Sequence, residues 1–292
     1  MKYTAGKKAL LFALAVVVFI SVVPAGCGGT GNDRTNVDTG SQSAAGNGIP
    51  EKVLITGSTS VQPLVQDLAD RFSETHNWVS IEVQGGGSTQ GIKDVSSGVS
   101  DIGISSRQLK DSEKELGLTE HIIAYDGIAI AVHPCNKVEN LTKDQVAAIF
   151  KGEIKNWKEV GGVDKEIIIV TREAGSGTRG AFEELLSLIK EENGKKLSAI
   201  YPGALVADGN GAVKANIATK ENAIGYVSLG FVDESVKKIR VDGIECNVGN
   251  IKSGRYKISR SIIMLTKGEM KPGAKAFLDF ILSDEGQEVV AE

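Results

Sequence analysis

Thr171-Arg172-Glu173-Ala174-Gly175-Ser176-Gly177-Thr178-Arg179-Gly180 is the stretch on which the fold turns. It follows the apolar run Ile167-Ile168-Ile169-Val170, which reads as a buried strand. Behind it Ala181, Phe182, Leu185, Leu186 and Ile189 recur at helical spacing and predict a long helix over 181–193. A hydroxyl-rich glycine turn thus joins a strand to the start of a helix. The free N–H groups of a helix's first turn, with the positive end of its dipole, favour an anion. Ser176, Thr178 and Arg172 add donors. One such turn suits an ordinary capped helix equally well; recurrence is what gives it weight.

It recurs twice. Val53-Leu54-Ile55 runs into Gly57-Ser58-Thr59-Ser60, and Val61, Leu64, Val65, Leu68, Ala69 and Phe72 then mark a helix. Thr59 or Ser60 is expected to cap it, with Pro63 in its first turn. Val79 to Val83 is a strand ending in Gly85-Gly86-Gly87-Ser88-Thr89-Gln90-Gly91, where Ser88 is expected to cap a short helix. A further strand, Asp101 to Ser105, ends in Ser106-Arg107. Three turns of one chemical kind, each leaving a strand end, point to one shared anion.

The remaining pattern is α/β. Ile122 to Val132 is an apolar run interrupted at Tyr125-Asp126-Gly127 and stopped by Pro134, long enough to cross between two domains. Asp126 is either an acid paired or exposed at a strand end, or a buried acceptor facing the ligand. Tyr256 to Leu265 recrosses. Thr142-Lys143-Asp144-Gln145 reads as a capping box, and Trp157 as a packed side chain. A glycine-opened helix is predicted over 209–218, a strand over 223–228, and helices near 273–282 and 284–291. Alternating strands and helices predict mainly parallel sheets.

Composition narrows the function. The 292 residues allow two domains. Net charge is −4, and the first 26 residues hold three lysines and no acid, so the rest is more acidic still. That argues against nucleic acid. Lys2, Lys7 and Lys8 before the apolar run Ala9–Val23 read as a signal peptide over 1–26. Ala25-Gly26-Cys27 resembles a bacterial lipobox, with Pro24 departing from its usual apolar residue; Cys27 would carry the lipid, and plain cleavage near Ala25 is the alternative. The polar stretch over 27–49 is a tether. No Walker loop, dinucleotide fingerprint or zinc cluster is present, so no cofactor or metal is expected. A serine nucleophile at Ser176 or Ser88 needs a base, and His76, His121 and His133 lie far from both motifs, so no enzyme is expected. Cys135 and Cys246 could form a disulfide or remain free thiols.

Together Ile55–Ser60, Gly86–Gly91, Ile149-Phe150-Lys151-Gly152 with Asn156-Trp157, Arg172 with Gly175–Thr178, and Ala223–Val227 resemble the PstS family, the phosphate-binding proteins of phosphate-specific ABC transporters. The resemblance covers roughly residues 50 to 292 and, with the lipobox, suggests a Gram-positive-type member. It implies a two-lobed type II periplasmic-binding-protein fold, with lobe I over 50–129 plus 257–292 and lobe II over 130–256. The implied ligand is inorganic phosphate, and the implied partners are an ABC permease and its ATPase subunits. The implied receptor is a monomer, lipid-anchored on the outer face of the cell membrane. The matching ligand positions are Thr59, Ser60, Ser88, Arg172, Ser176, Gly177 and Thr178. One departure bears on selectivity: Ser106 stands where the family has an aspartate that accepts the phosphate proton and repels sulfate. Asp126 is the expected replacement acceptor. Sulfate or molybdate is the alternative ligand, and a serine hydrolase or a surface adhesin the alternative use of the fold.

Overall fold

The computed structural model describes residues 49–291. The expected signal peptide, Cys27 and all but the end of the expected tether lie outside the described residues. The first elements are β1 (Glu51–Gly57), α1 (Gln62–Ser73), β2 (Val79–Gly85), α2 (Ser88–Ser97), β3 (Ile102–Ser105) and α3 (Asp111–Lys114). Then come the long β4 (Thr119–Val132), β5 (Asn140–Leu141) and α4 (Lys143–Lys151). Next are β6 (Ile168–Arg172), α5 (Gly177–Leu185), β7 (Ile189–Glu192), β8 (Lys195–Ser198), β9 (Leu205–Ala207), α6 (Gly209–Thr219) and β10 (Ala223–Ser228). β11 (Lys237–Lys238), β12 (Arg240–Val241), α7 (Val248–Lys252), β13 (Ser259–Thr266), α8 (Pro272–Leu282) and α9 (Asp284–Ala291) complete the order.

The principal sheet runs β2-β1-β3-β13-β4-β10-β6-β9, with β11 also paired to β4. Its outer pairs are parallel: β1 with β2 and β3, and β6 with β10 and β9. Its centre is not. β13 lies antiparallel to β3 and β4, and β10 antiparallel to β4. The sheet is therefore mixed rather than mainly parallel. The reason is that β4 and β13 carry the chain across the molecule and back, so they run in opposite directions.

β4 serves two neighbours in turn. Thr119 to Gly127 pair with β13, and Ile128 to Val132 pair with β10. On either side of that change lie separate cores. One gathers Ile55, Phe72 and Ile104 with Met264, Phe277 and Ile281. The other gathers Ile130, Phe150, Trp157, Phe182, Tyr226 and Tyr256. The fold is thus two-lobed, and β4 is common to both lobes. The Tyr256 hydroxyl donates to the Ile128 carbonyl at 2.8 Å and fastens the return segment beside the crossing point.

Local chemistry explains most boundaries. The capping box at α4 forms, with the Gln145 N–H on Thr142 Oγ1 at 3.1 Å and the Thr142 N–H on Gln145 Oε1 at 2.8 Å. Trp157 is buried and its Nε1 donates to the Asn222 carbonyl at 2.9 Å. The helix predicted over 181–193 stops at Leu185 instead. Asn193 and Gly194 both have positive φ, 53° and 70°, and turn β7 into β8 as a tight hairpin.

Cys135 and Cys246 are both free, so the disulfide does not form. Cys246 is buried beside Gly127, where a Cβ would approach its Sγ to 2.6 Å. Cys135 lies beyond the far end of β4. Gly127 to Val132 alone spans about 17 Å of extended chain, against the roughly 7 Å between Cα atoms that a disulfide allows. Burial, helped by the Asp126 charge, pushes the Cys246 thiol up to about 12.

Candidate anion-binding site

The three glycine turns interlock. Gly57 leaves β1 at φ 140°, a conformation that L side chains rarely adopt. Its carbonyl accepts the N–H groups of Gly86 and Gly87, each at 2.8 Å, so the first turn holds the second. The Thr89 N–H reaches the Gly175 carbonyl across the lobes at 3.2 Å, which docks the second turn on the third.

Their side chains converge. Ser58 Oγ donates to Ser106 Oγ at 2.8 Å, and the Ser106 N–H donates to Ser88 Oγ at 3.1 Å. Ser60 Oγ and Thr178 Oγ1 lie 2.6 Å apart. Arg172 Nη2 donates to Thr59 Oγ1 at 2.9 Å. A Cβ on Gly177 would run into Ser88 Oγ and stand 2.5 Å from Ser106 Oγ. The structure thus brings together Thr59, Ser60, Ser88, Ser106, Arg172, Gly177 and Thr178 from four separate strand ends. Ser88, Ser106, Arg172 and Thr178 are buried.

The expected caps differ from those formed. Neither Thr59 nor Ser60 caps α1, whose N-cap is Val61, and Ser88 lies inside α2 behind Gly87; neither helix has a side-chain cap. Of the three turns, only the one at Ser176 caps its helix through a side chain, accepting the Arg179 N–H at 3.2 Å. The first N–H groups of α1 and α2 are therefore not satisfied by local side chains, and the hydroxyls that would have capped them turn toward the shared centre.

Arg172 is the cation of this cluster. Glu173 receives its Nε at 2.8 Å and Nη2 at 2.7 Å, while Nη1 is buried without a partner. An orphaned guanidinium N–H is costly unless something accepts it. Burial pushes the Glu173 carboxyl up, but the hydrogen bonds and charge of Arg172 outweigh it and hold it below its ordinary value. Glu113 behaves likewise: burial raises it, and the fork of Arg107, at 2.7 and 2.8 Å, brings it down. Arg107 is thereby drawn away from Ser106, its neighbour in sequence. Such depressed carboxyls contribute stability that is full above their ordinary pKa, 4.5, and is lost as acid titrates them through the lowered folded values. Glu113→Gln is therefore expected to lose less melting temperature between neutral and acid pH than the parent chain; an equal loss in both rejects this coupling.

Tyr226 supports the third turn from below. Its hydroxyl lies 2.8 Å from Thr171 Oγ1 and accepts the Arg172 N–H at 3.3 Å. Burial pushes the phenol up to about 12, so it stays neutral.

Asp126 is not gathered with the hydroxyls. It stands opposite Arg260 in the β4–β13 register, and its Oδ2 accepts Arg260 Nε at 3.1 Å and Nη2 at 2.8 Å. Its Oδ1 accepts the Leu229 N–H at 3.2 Å. The carboxylate expected to receive a ligand proton instead neutralises a buried arginine and ties β4 to the end of β10. Asp126→Asn is expected to lower stability by about 3 kcal/mol, the scale for stranding one partner of a buried pair, while leaving the phosphate-to-sulfate ratio unchanged. Chemical denaturation and calorimetric titration check the two halves of that statement.

Beside the cluster a cleft of about 290 Å³ opens between Arg107, Gln108, Tyr125, Glu184, Ser259 and Arg260. A larger cavity, about 480 Å³ beside α4, shares no residue with the cluster. Among the described residues no three His, Cys, Asp or Glu side chains gather as metal ligands. The arrangement is a set of neutral donors around one guanidinium, with no imidazole to act as base.

The chain matches the family model of the PBP superfamily domain over residues 35–285. It is 33% identical over 291 residues to phosphate-binding protein PstS of Bacillus subtilis, covering 97% of this chain and 92% of that protein. This chain belongs to the PstS family. PstS of Borreliella burgdorferi is 32% identical over 83% of this chain and 88% of its own length. A phosphate ABC transporter substrate-binding protein of Clostridium perfringens, solved with phosphate bound, is 45% identical, with a TM-score of 0.78 over 82% of this chain and 97% of that one. An ABC-type phosphate transport receptor of Vibrio cholerae is 38% identical, with a TM-score of 0.70 over the same shares. PstS proteins are extracytoplasmic binding proteins rather than enzymes, and the two-lobed fold is theirs.

Asn210 was missed by sequence reasoning, as was Arg260. Asn210 donates to Ser60 and Arg260 pairs with Asp126. A polar residue between two glycines at the opening of a predicted helix, Gly209-Asn210-Gly211, was the available signal for the first. Nothing local distinguished the second.

Proposed function

We propose that this chain captures one inorganic phosphate between its lobes and delivers it to an ABC permease with its ATPase subunits. The observation that carries this reading is the convergence of four strand-end hydroxyl turns on Arg172, whose Nη1 is buried and unpartnered. Thr59, Ser60, Ser88, Ser106, Ser176, Gly177 and Thr178 supply hydroxyl and backbone donors, and Arg172 supplies the charge. Burial strengthens each donor because the surroundings polarise little, and hydrogen bonds to an anion are stronger than neutral ones. A protein of negative net charge can therefore hold a dianion. Lobe I comprises residues 50–129 and 257–292, and lobe II residues 130–256. The mature chain is a monomer tethered through lipid on Cys27 and has no nucleic-acid partner.

Ser106 favours a second reading, a broader oxyanion receptor. The nearby carboxylates Glu173, Glu113 and Asp126 each neutralise an arginine, so none is free to repel sulfate. Calorimetric titration of the purified chain, dialysed free of oxyanions, with phosphate, sulfate and molybdate separates the two. Tight phosphate binding with a weak sulfate response supports the phosphate receptor. Sulfate or molybdate binding better than phosphate replaces it with the broader reading, and no response to any of the three rejects both.

A further inference from the structure

We propose that Asn210 is a positioning residue of the anion site, one that fixes the Ser60 hydroxyl as a donor and joins the two lobes when they are closed. The inference rests on the phosphate reading above and names a residue through which that site is set. Asn210 is the second residue of α6, and only 1% of it is exposed. Its side-chain amide bridges two segments. Oδ1 accepts the Ser228 N–H at 3.2 Å, at the end of β10. Nδ2 donates to Ser60 Oγ at 2.7 Å, across 150 residues of sequence and from one lobe to the other.

The first contact fixes the meaning of the second. A backbone N–H only donates, so the amide edge facing Ser228 is its oxygen. The edge facing Ser60 is then the NH₂, which only donates. Ser60 Oγ accepts there, and its single proton must point elsewhere. Its other near neighbour is Thr178 Oγ1, 2.6 Å away, in the middle of the cluster. Asn210 thereby polarises the pair Ser60–Thr178 so that protons are directed toward the centre, where an oxyanion needs donors. Arg172 does the same for Thr59, since Nη2 can only donate to Thr59 Oγ1. An amide suits this position because it orders the hydroxyl without bringing charge beside an anion.

The same bond makes closure and donor order one event. Ser60 follows β1 and Asn210 opens α6, so the contact exists only while the lobes meet. An open form leaves the Ser60 hydroxyl free to rotate in water. Closure sets its direction and puts it in place together.

The test is a double-mutant cycle on phosphate affinity and dissociation rate, using Asn210→Ala, Ser60→Ala and the double variant in the full mature chain. Asn210→Ala is expected to weaken phosphate binding about tenfold, the scale of one charge-assisted hydrogen bond, chiefly through faster dissociation. In the Ser60→Ala background the same change is expected to alter affinity less than about twofold, as for residues that act through one another. An equal loss in both backgrounds means that Asn210 acts by holding α6 to β10 alone and overturns the proposal, as does an unchanged affinity in Asn210→Ala. Asn210→Asp keeps the size of the side chain and serves if alanine does not fold. Its second oxygen must accept from Ser60, reversing the hydroxyl, and a loss larger than that of alanine is expected; wild-type affinity overturns the proposal. Failure of the parent chain to bind phosphate overturns the phosphate reading itself, and this inference with it.

Discussion

Arg172→Ala is expected to weaken phosphate binding about a hundredfold. The guanidinium is 1% exposed, it is the cation that the cluster surrounds, and its Nη1 is buried without a partner. Removing a buried partner of a charged ligand costs about 2–5 kcal/mol, and about 2.7 kcal/mol is a hundredfold in affinity. The variant also leaves the Glu173 carboxylate beside the anion with its counter-charge gone. Arg172→Lys is expected to recover little. One ammonium cannot meet both Glu173 oxygens and Thr59 in the planes that the guanidinium uses at 2.7–2.9 Å. Calorimetric titration of both variants decides the matter; a loss below about tenfold for alanine, or about 1.4 kcal/mol, would place the anion elsewhere in the cleft.

The second large effect belongs to a residue with no side chain. Gly177→Ala should abolish binding while leaving the ligand-free fold intact. Position 177 opens α5 and has no positive φ, so alanine is acceptable to the backbone. What it meets is the opposite lobe: the added methyl would overlap Ser88 Oγ, approach Ser88 Cβ to 2.9 Å and stand 2.5 Å from Ser106 Oγ. The clash appears only on closure. The expected result is an ordinary melting temperature without phosphate, and no rise when phosphate is added, where the parent rises by mass action. A normal phosphate-dependent rise in Gly177→Ala would mean that the closed arrangement described here is not the binding form.

These two positions were legible in the sequence because their signals are local. Strand, glycine-hydroxyl turn and helix follow one another within a dozen residues at Gly57, Gly85 and Gly175, and hydrophobic periodicity places each side. The long β4 and its return were legible for the same reason. The hairpin at 189–198 was not, because Leu185, Leu186 and Ile189 fit a continued helix and the Asn193-Gly194 turn is flanked by charged residues rather than by alternating apolar ones. The caps were misread for a different reason. A serine before a helix is usually its cap, and only the assembled site shows that Ser60 and Ser88 have partners in other turns. Asp126 shows the limit most clearly. Its partner Arg260 lies 134 residues away, and nothing short of the β4–β13 register places the two together. The same holds for Asn210 and Ser60.

The arrangement of the two cores also bears on the order in which the chain can fold. The core around Tyr226 is drawn from residues 128 to 258, an uninterrupted segment. The core around Ile55 is not: it needs Met264, Phe277, Leu278 and Ile281 from the end of the chain. During synthesis the lobe that is begun first therefore lacks β13, α8 and α9 until the last residues emerge, and closing so long a loop is entropically expensive. The later lobe draws its core from one contiguous segment, whereas the earlier one completes its core only with the last strand and helices. For a protein whose family works outside the cytoplasm, that delay has a use: the lobe begun first cannot complete its core until synthesis is nearly finished.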